Sequence, residues 1–298
     1  MRHSLLVALT ILSASTFAGS HHHWNSMHCG TCVTPIVDDV TSCDDLRVIF
    51  DDRDAVRAEE SVPVAEARSL FVRASENGGI YVRDTNSARF SVTACKAASF
   101  GETLGRVHAN VSGGNVTASG PRGEDRWLVY FIVDMPRGAR GEFESTNGPV
   151  AIRGVDGTVI ARAENGPLSA KETTGSINLK AENGPVAFSG SSGNVVLRTD
   201  NGPIAVNLTD NFWSRGTLDA RTDNGPIALN IPRAYRSGVI VDTDGHSPVK
   251  CRAEDCRGRV KYDSGDDWGR WPNHIELGSG PTAVTLVTGN GPVAINDR

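Results

Sequence analysis

The chain has 298 residues and a formal net charge of −5, and 22% of its residues are charged. This balance argues against a nucleic-acid-binding protein, which would show a basic patch or stripe without matching acids. Thirty-two glycines, 14 prolines and 6% aromatic residues are typical of a turn-rich all-β protein rather than a helical one.

Residues 1–19 predict a secretory signal peptide. After a short basic start, residues 5–17 form an apolar run that is too short to span a bilayer, and Thr16 and Ala18 provide small residues for cleavage. Retention of this run as a membrane anchor is the alternative. We expect an exported protein in the periplasm, at the cell surface or outside the cell, with no transmembrane segment after cleavage.

Residues 20–66 form a Cys- and His-bearing N-terminal segment and linker. Imidazole and thiolate groups at this density are typical zinc or copper ligands, and the weak metal candidates are His21, His22, His23, His28, Cys29 and Cys32. In an exported protein a structural disulfide and a polar tail are the favoured interpretation, so no cofactor is expected. A redox role for the Cys-x-x-Cys pair would need a helix in a βαβ setting, which the pattern lacks.

The remaining cysteines indicate disulfides. Cys251 and Cys256 are separated by four residues and close a small loop in the preferred pairing. Cys29, Cys32, Cys43 and Cys95 allow three connectivities, which the sequence does not distinguish.

A nine-residue period dominates the middle of the chain and assigns residues 67–298 to one β-strand-repeat domain. Glycine recurs every nine residues from Gly148 to Gly202, and two apolar residues, two apart, follow each glycine. Side chains two apart share one face of a strand, so each unit predicts one strand and one turn. Two unlike units make an 18-residue coil. The predicted fold is an all-β, parallel β-solenoid with two strand rows, built from nine-residue half-coils.

Asn-Gly-Pro triplets predict the turns. Glycine permits a positive φ, asparagine tolerates left-handed geometry, and proline starts the next strand. Asparagines stacked one per coil are expected to form an amide ladder. The predicted structural turns are Asn147, Gly148, Asn165, Gly166, Asn183, Gly184, Asn201, Gly202, Asn224, Gly225, Asn290 and Gly291.

Two breaks in the period predict loop inserts, at residues 209–222 and 232–285. Surface contacts are expected from the loops near Trp213 and Trp268, the latter with Trp271 close by. At the C-terminal end, residues 293–295 are expected to form an exposed last strand that the charged residues behind it protect from edge pairing.

Charges repeat with the coils. Arg162, Lys180, Arg198 and Arg221 each stand two residues before Glu164, Glu182, Asp200 and Asp223. One interpretation is a stripe that binds a ligand or a cation. The favoured one is mutual neutralisation of two neighbouring rows on a solvated surface.

No catalytic motif stands out. The sequence lacks a Gly-x-Ser-x-Gly elbow, a His-Glu-x-x-His pair and a glycine loop with lysine for phosphate. The turns also lack the Asp frame of a calcium β-roll. Asp266 and Asp267 lie beside Trp268 and would be the acid pair of a carbohydrate-active enzyme, although adjacent loop carboxylates are more often solvated charges.

Residues 129–139, an apolar strand ending in a Pro-Arg-Gly turn, are followed by the Thr-Asn-Gly-Pro-Val-Ala-Ile stretch of residues 146–152. This order resembles the bacterial putative-adhesin family of β-strand-repeat proteins, a domain of unknown function, over roughly three quarters of the chain. The resemblance implies a shape and no catalytic residues. We therefore expect an exported, non-enzymatic structural or binding protein of the cell envelope, with a glycan or protein as partner. A carbohydrate-active β-helix enzyme and a periplasmic metal-binding protein are the alternatives.

Overall fold

The structure is a computed structural model, and it describes residues 31–35, 40–64, 67–75, 77–123, 126–243, 247–256 and 274–298. These residues form an all-β protein. Their helical content is one α-helix, α1 (Gly101–Leu104), and two 3-10 helices of three residues each, at Cys43–Asp45 and Glu254–Cys256. The all-β class predicted from composition is confirmed.

The described residues form 25 strands. The first twelve are β1 (Thr31–Pro35), β2 (Leu46–Phe50), β3 (Arg53–Asp54), β4 (Val56–Val62), β5 (Ser69–Arg73), β6 (Ile80–Thr85), β7 (Ser91–Ala98), β8 (His108–Ser112), β9 (Asn115–Ser119), β10 (Trp127–Pro136), β11 (Arg140–Ser145) and β12 (Val150–Arg153). The others are β13 (Asp156–Ala163), β14 (Leu168–Lys171), β15 (Thr174–Ala181), β16 (Val186–Gly190), β17 (Asn194–Thr199), β18 (Ile204–Leu208), β19 (Leu218–Asn224), β20 (Ile227–Ile231), β21 (Gly238–Thr243), β22 (Val249–Cys251), β23 (His274–Leu277), β24 (Thr282–Asn290) and β25 (Val293–Asp297).

Two sheets of 11 strands each contain most of the chain. Sheet I has the spatial order β22-β25-β20-β18-β16-β14-β12-β6-β10-β7-β4, and sheet II has the order β23-β21-β24-β19-β17-β15-β13-β11-β5-β9-β8. From β11 to β20, successive strands alternate between the two sheets, and each strand pairs in parallel with the next strand of its own sheet. Neither sheet closes on itself among the described residues, because each order ends in two edge strands.

The repeat sets both the register and the core. Val159 pairs with Ile177, and Leu168 pairs with Val186, so paired residues are 18 apart in sequence. The two apolar positions of each unit are buried throughout the repeats, including Phe188, which is 1% exposed. The buried side chains of both sheets belong to one hydrophobic cluster. Such burial contributes roughly 1.5–3 kcal/mol for each large aliphatic side chain, so the strands are stable only as a stack.

Antiparallel strands end the stack at both sides, which the predicted parallel pattern did not include. At the N-terminal side β7 lies between β10 and β4 and is antiparallel to both, and β8 is antiparallel to β9. At the C-terminal side β23 is antiparallel to β21. The expected exposed last strand at residues 293–295 is wrong, because β22 pairs with β25 there and becomes the edge of sheet I.

The structure also corrects the two predicted inserts. Within 209–222, β19 resumes sheet II at Leu218, which pairs with Val195, 23 residues earlier rather than 18. The first insert therefore adds five residues to a repeat. Within 232–285, β21, β22, β23 and the first part of β24 are strands of the two sheets. The loop interpretation failed because a few extra residues shift the period without removing the strands.

A three-stranded sheet, β1-β2-β3, packs over the outer face of sheet I at its N-terminal end. Leu46, Val48 and Phe50 lie in a second hydrophobic cluster with Tyr81 and Tyr130 of sheet I. Desolvation in this layer raises the pKa of Tyr130. Residues 20–66 therefore contain more than a linker, since β4 also lies within this range and pairs with β7.

We predict that adding one methyl group at a stacked turn destabilises the fold. A Cβ at Gly184 would overlap the carbonyl oxygen of Gly166 in the neighbouring repeat. Gly184→Ala should lower the free energy of unfolding by about 1–3 kcal/mol or more, because overpacking forces the backbones apart. Urea denaturation measures this change.

Gly101→Ala is the matched control, because a Cβ at Gly101 meets no atom within 4 Å. Equal stability of the two variants would contradict the close stacking of the turns.

Candidate binding surface

The outer face of sheet II has a row of positive charges that crosses four neighbouring strands. The basic row consists of Arg162, Lys180, Arg198 and Arg221, on β13, β15, β17 and β19. Their Cα atoms pair directly in register from one strand to the next. Strands lie about 4.7–4.9 Å apart, so the row is about 14 Å long. It exists because each repeat places the same position of its strand on the same outward face.

A row of negative charges lies beside the basic row on the same four repeats. The acidic row consists of Glu164, Glu182, Asp200 and Asp223, at the start of the turns from sheet II to sheet I. Backbone hydrogen bonds stack these turns. For example, the amide of Asn183 donates to the carbonyl of Glu164 at 2.8 Å, and the amide of Asn201 donates to that of Glu182 at 2.8 Å. Two residues along a strand correspond to about 7 Å, which separates the two rows.

The rows do not neutralise each other by contact. Among the described residues, no member of the basic row forms an ion pair with a member of the acidic row. Instead, Arg162 lies 3.8 Å from Glu142 and Glu144, and the Arg198 guanidinium binds both carboxylate oxygens of Asp219 at 3.0 and 2.9 Å. The expected mutual neutralisation is therefore wrong at the level of side-chain contacts, since the arginines reach acids on their own or the adjacent strand face.

Lys180 and Arg221 have no ion pair with any described carboxylate, and the four members of the acidic row likewise have none with a described base. Like unit charges about 5 Å apart repel by about 1 kcal/mol even in water. Each row therefore has an unfavourable energy of its own, and an opposite charge from another molecule would relieve it.

An asparagine ladder runs next to the acidic row. Each asparagine donates its Nδ2 amide to the Oδ1 atom of the asparagine one repeat earlier, at 3.0–3.3 Å. The ladder comprises Asn77, Asn147, Asn165, Asn183, Asn201, Asn224 and Asn290. It fixes the turns, and with them the acidic row, at one spacing.

A second ladder was missed by the sequence analysis. Asn230 donates to Asn207 at 2.6 Å and Asn296 donates to Asn230 at 3.3 Å on the outer face of sheet I. The signal was the equal position of these asparagines after Ile204, Ile227 and Val293. The insert hid it, because it changes the spacing from 18 to 23 residues.

Trp213 is not a surface contact residue, contrary to expectation. It is 7% exposed, its ring packs on Phe188 at 5.9 Å between centroids, and its Nε1 donates to the Gly193 carbonyl at 3.2 Å. The insert folds this side chain back into the core. Phe212, its neighbour, is 55% exposed instead.

Several sequence candidates lie outside the described residues: His21, His22, His23, His28, Cys29, Asp266, Asp267, Trp268 and Trp271. Cys32 lies on β1 and is disulfide-bonded. In the part of the chain that the structure covers, no group of three or more His, Cys, Asp or Glu residues is arranged to hold a metal ion. A search of the same residues finds no helix with the length and apolar character of a membrane span.

Two disulfides join described residues. Cys43 and Cys95 tie the three-stranded sheet to β7, with Cα atoms 5.3 Å apart and 52 residues between them in sequence. Cys251 and Cys256 are paired as predicted, with Cα atoms 6.0 Å apart. A cavity of about 10 Å³ beside the first disulfide holds one water at most, so it is no ligand pocket.

His274, at the C-terminal edge of sheet II, lies between two carboxylates. Its Nδ1 is 2.7 Å from Asp242 and its Nε2 is 3.1 Å from Glu276. The hydrogen bond to Asp242, followed by that to Glu276, raises the pKa of His274 above 6.5. This cluster holds the edge strand β23 against β21.

Comparisons with known proteins give the resemblance that the sequence indicated. No family model matches the chain, and no curated protein matches it. Solved structures of adhesin-like proteins are similar over most of its length. A putative cell adhesion protein from Clostridium sporogenes has 12% identity and a TM-score of 0.30, and the match covers 82% of this chain and 100% of that one.

Two further structures are putative adhesins. The one from Bacteroides fragilis has 10% identity and a TM-score of 0.31, and the match covers 82% of this chain and 97% of that one. The one from Parabacteroides distasonis has 10% identity and a TM-score of 0.36, with 80% and 97% covered. At these scores the likeness carries no argument about what the chain binds.

We predict that one charge placed inside the asparagine ladder destabilises the stack. Asn183→Asp removes the donor to Asn165 and sets a carboxylate against its Oδ1 atom, while acceptance from Asn201 remains. The free energy of unfolding should fall by about 1–3 kcal/mol, the usual effect of an unsatisfied group. Urea denaturation measures it.

Asn77→Asp is the matched control at the end of the ladder. Asn77 accepts from Asn147, and its own amide donates to no described residue. Its replacement should change stability by less than about 0.5 kcal/mol. A similar loss in both variants would show that the ladder contributes nothing.

We also predict a pH-dependent contribution from His274. Because its folded-state pKa is raised, its stabilising effect is complete below pH 6.5 and is lost as the pH rises through the raised value. His274→Gln should remove this dependence. The measurement is the difference in urea midpoint between wild type and variant across that range, and a pH-independent difference would contradict it.

Proposed function

We propose that the chain is an exported, non-enzymatic binding or structural protein of the cell envelope, adhesin-like, built on a two-row parallel β-solenoid. The 18-residue register and the alternation of successive strands between the two sheets support the solenoid. The two described disulfides support export, because disulfides persist in oxidising compartments.

The observation that carries the proposal is the pair of oppositely charged rows on one rigid face. Backbone pairing and the asparagine ladder hold the acidic row at strand spacing, so its position costs no ordering on binding. Lys180 and Arg221 have no described ion-pair partner within the chain. Charged groups held in place and left without partners favour a binding surface over a merely solvated one.

The partner that fits this surface is a glycan or protein of the cell envelope with charged groups of its own. Its contacts would be polar and spread along a line, since the face has no described cleft for a small molecule. Binding should therefore weaken with salt, because exposed charges are screened within about 8–10 Å at physiological ionic strength.

We predict that the full chain binds envelope material and that the basic row carries this binding. Lys180→Gln combined with Arg221→Gln should weaken binding at least about tenfold, equivalent to about 1.4 kcal/mol, through the loss of two charge contacts. The measurement is pull-down titration on envelope fractions from cells that lack this chain.

The matched control is Lys250→Gln combined with Arg252→Gln. It removes the same two charges from exposed residues at the C-terminal end of sheet I. The control should bind as wild type does. Equal binding by both double variants would remove the basic row from the function, and no binding by the wild type would refute the proposal.

A further inference from the structure

The face with the two charged rows has a symmetry that points to its partner. We propose that it binds a second copy of this chain, in a parallel arrangement that sets the basic row of each copy against the acidic row of the other. This proposal rests on the proposed function, because it names a partner for the same surface.

Both rows cover the same four repeats, so they have equal length and equal spacing. Arg162, Lys180, Arg198 and Arg221 pair in register along the sheet, and each acidic residue follows two positions later on the same repeat. A second copy repeats this spacing by identity. All four positions of one row therefore meet all four of the other at once, which an unrelated ligand matches only by coincidence.

The order of the rows selects one orientation. A two-fold axis that runs along the stacking direction, between the rows, exchanges left and right on the facing copy and places positive charges opposite negative ones. A two-fold axis across the stack keeps each row opposite its own kind, so like charges face each other. Only the first arrangement is self-complementary, and it makes the contact isologous with the N-terminal ends side by side.

Other occupants match the face less well. A polyanion along the basic row would lie about 7 Å from the acidic row, and a cation along the acidic row would lie equally close to the basic one. Each would gain from one row and lose to the other. The second copy satisfies both, including Lys180 and Arg221, which have no ion-pair partner among the described residues of their own chain.

The contact is small and polar. Rows about 14 Å long and about 7 Å apart give a footprint well below the ~800 Å² per partner of a standard interface. The association is therefore weak, reversible and sensitive to salt. It becomes significant where many copies are concentrated on one surface, because neighbouring copies then meet at high effective concentration.

Charge reversal tests the proposal with the full chain. The first variant carries Lys180→Glu and Arg221→Glu, and the second carries Glu182→Lys and Asp223→Lys. Each alone has two rows dominated by one sign and should be monomeric by sedimentation velocity at low ionic strength, where the wild type forms a concentration-dependent dimer. An equimolar mixture of the two should restore the dimer, and added salt should dissolve it in both cases.

The control variant, Lys250→Glu with Arg252→Glu, makes the same charge change elsewhere and should dimerise as wild type does. Circular dichroism checks that every variant is folded, and restoration in the mixture excludes misfolding as the cause of a lost dimer. A wild type that stays monomeric at low salt, variants that dimerise alone, or a mixture that stays monomeric would each overturn the proposal.

The two proposals fail in distinguishable ways. Binding to envelope fractions from cells without this chain, combined with a monomeric wild type, would refute self-association and keep the proposed function. Dimerisation without any binding to those fractions would do the reverse.

Discussion

The repeats can stack at strand spacing only because the Asn-Gly turns have no side chain at their second residue. At Gly148, Gly166, Gly184 and Gly202, a Cβ would overlap the glycine carbonyl of the preceding repeat. This approach brings the turns into the same register as the strands. The asparagine amides and the acidic residues before them then follow at one spacing, so both the ladder and the acidic row depend on a missing methyl group.

The features that the sequence predicts well are those that repeat locally. Side chains alternate across a strand, so the two apolar positions of each unit identify the inward face, and the 18-residue spacing by itself places Asn165 over Asn147. Loop closure is different. The insert before Leu218 changes the spacing to 23 residues, and nothing local indicates that Trp213 turns inward onto Phe188.

Ion-pair partners were also beyond prediction from the sequence. Arg198 has Asp200 two residues away, yet it binds Asp219 on the neighbouring strand, where the guanidinium meets both carboxylate oxygens and two backbone carbonyls. A bidentate pair is stronger than a single contact, so geometry across the sheet decides over distance along the chain. The rows therefore remain open to solvent, although the sequence suggests that they cancel.

The two long sheets have different surroundings, and this difference gives the charged face its meaning. At the N-terminal end of sheet I, the three-stranded sheet covers the outer face and buries Tyr81 and Tyr130, and the Cys43–Cys95 disulfide ties it down. No described segment covers the four strands of sheet II that carry the charges. A repeat protein that copies one position from strand to strand must place like charges side by side, which is unfavourable. The chain keeps this arrangement over four repeats and sets the opposite sign beside it over the same four. Such a pattern costs stability in an isolated molecule and lowers the energy only when a matching pair of rows is brought to it.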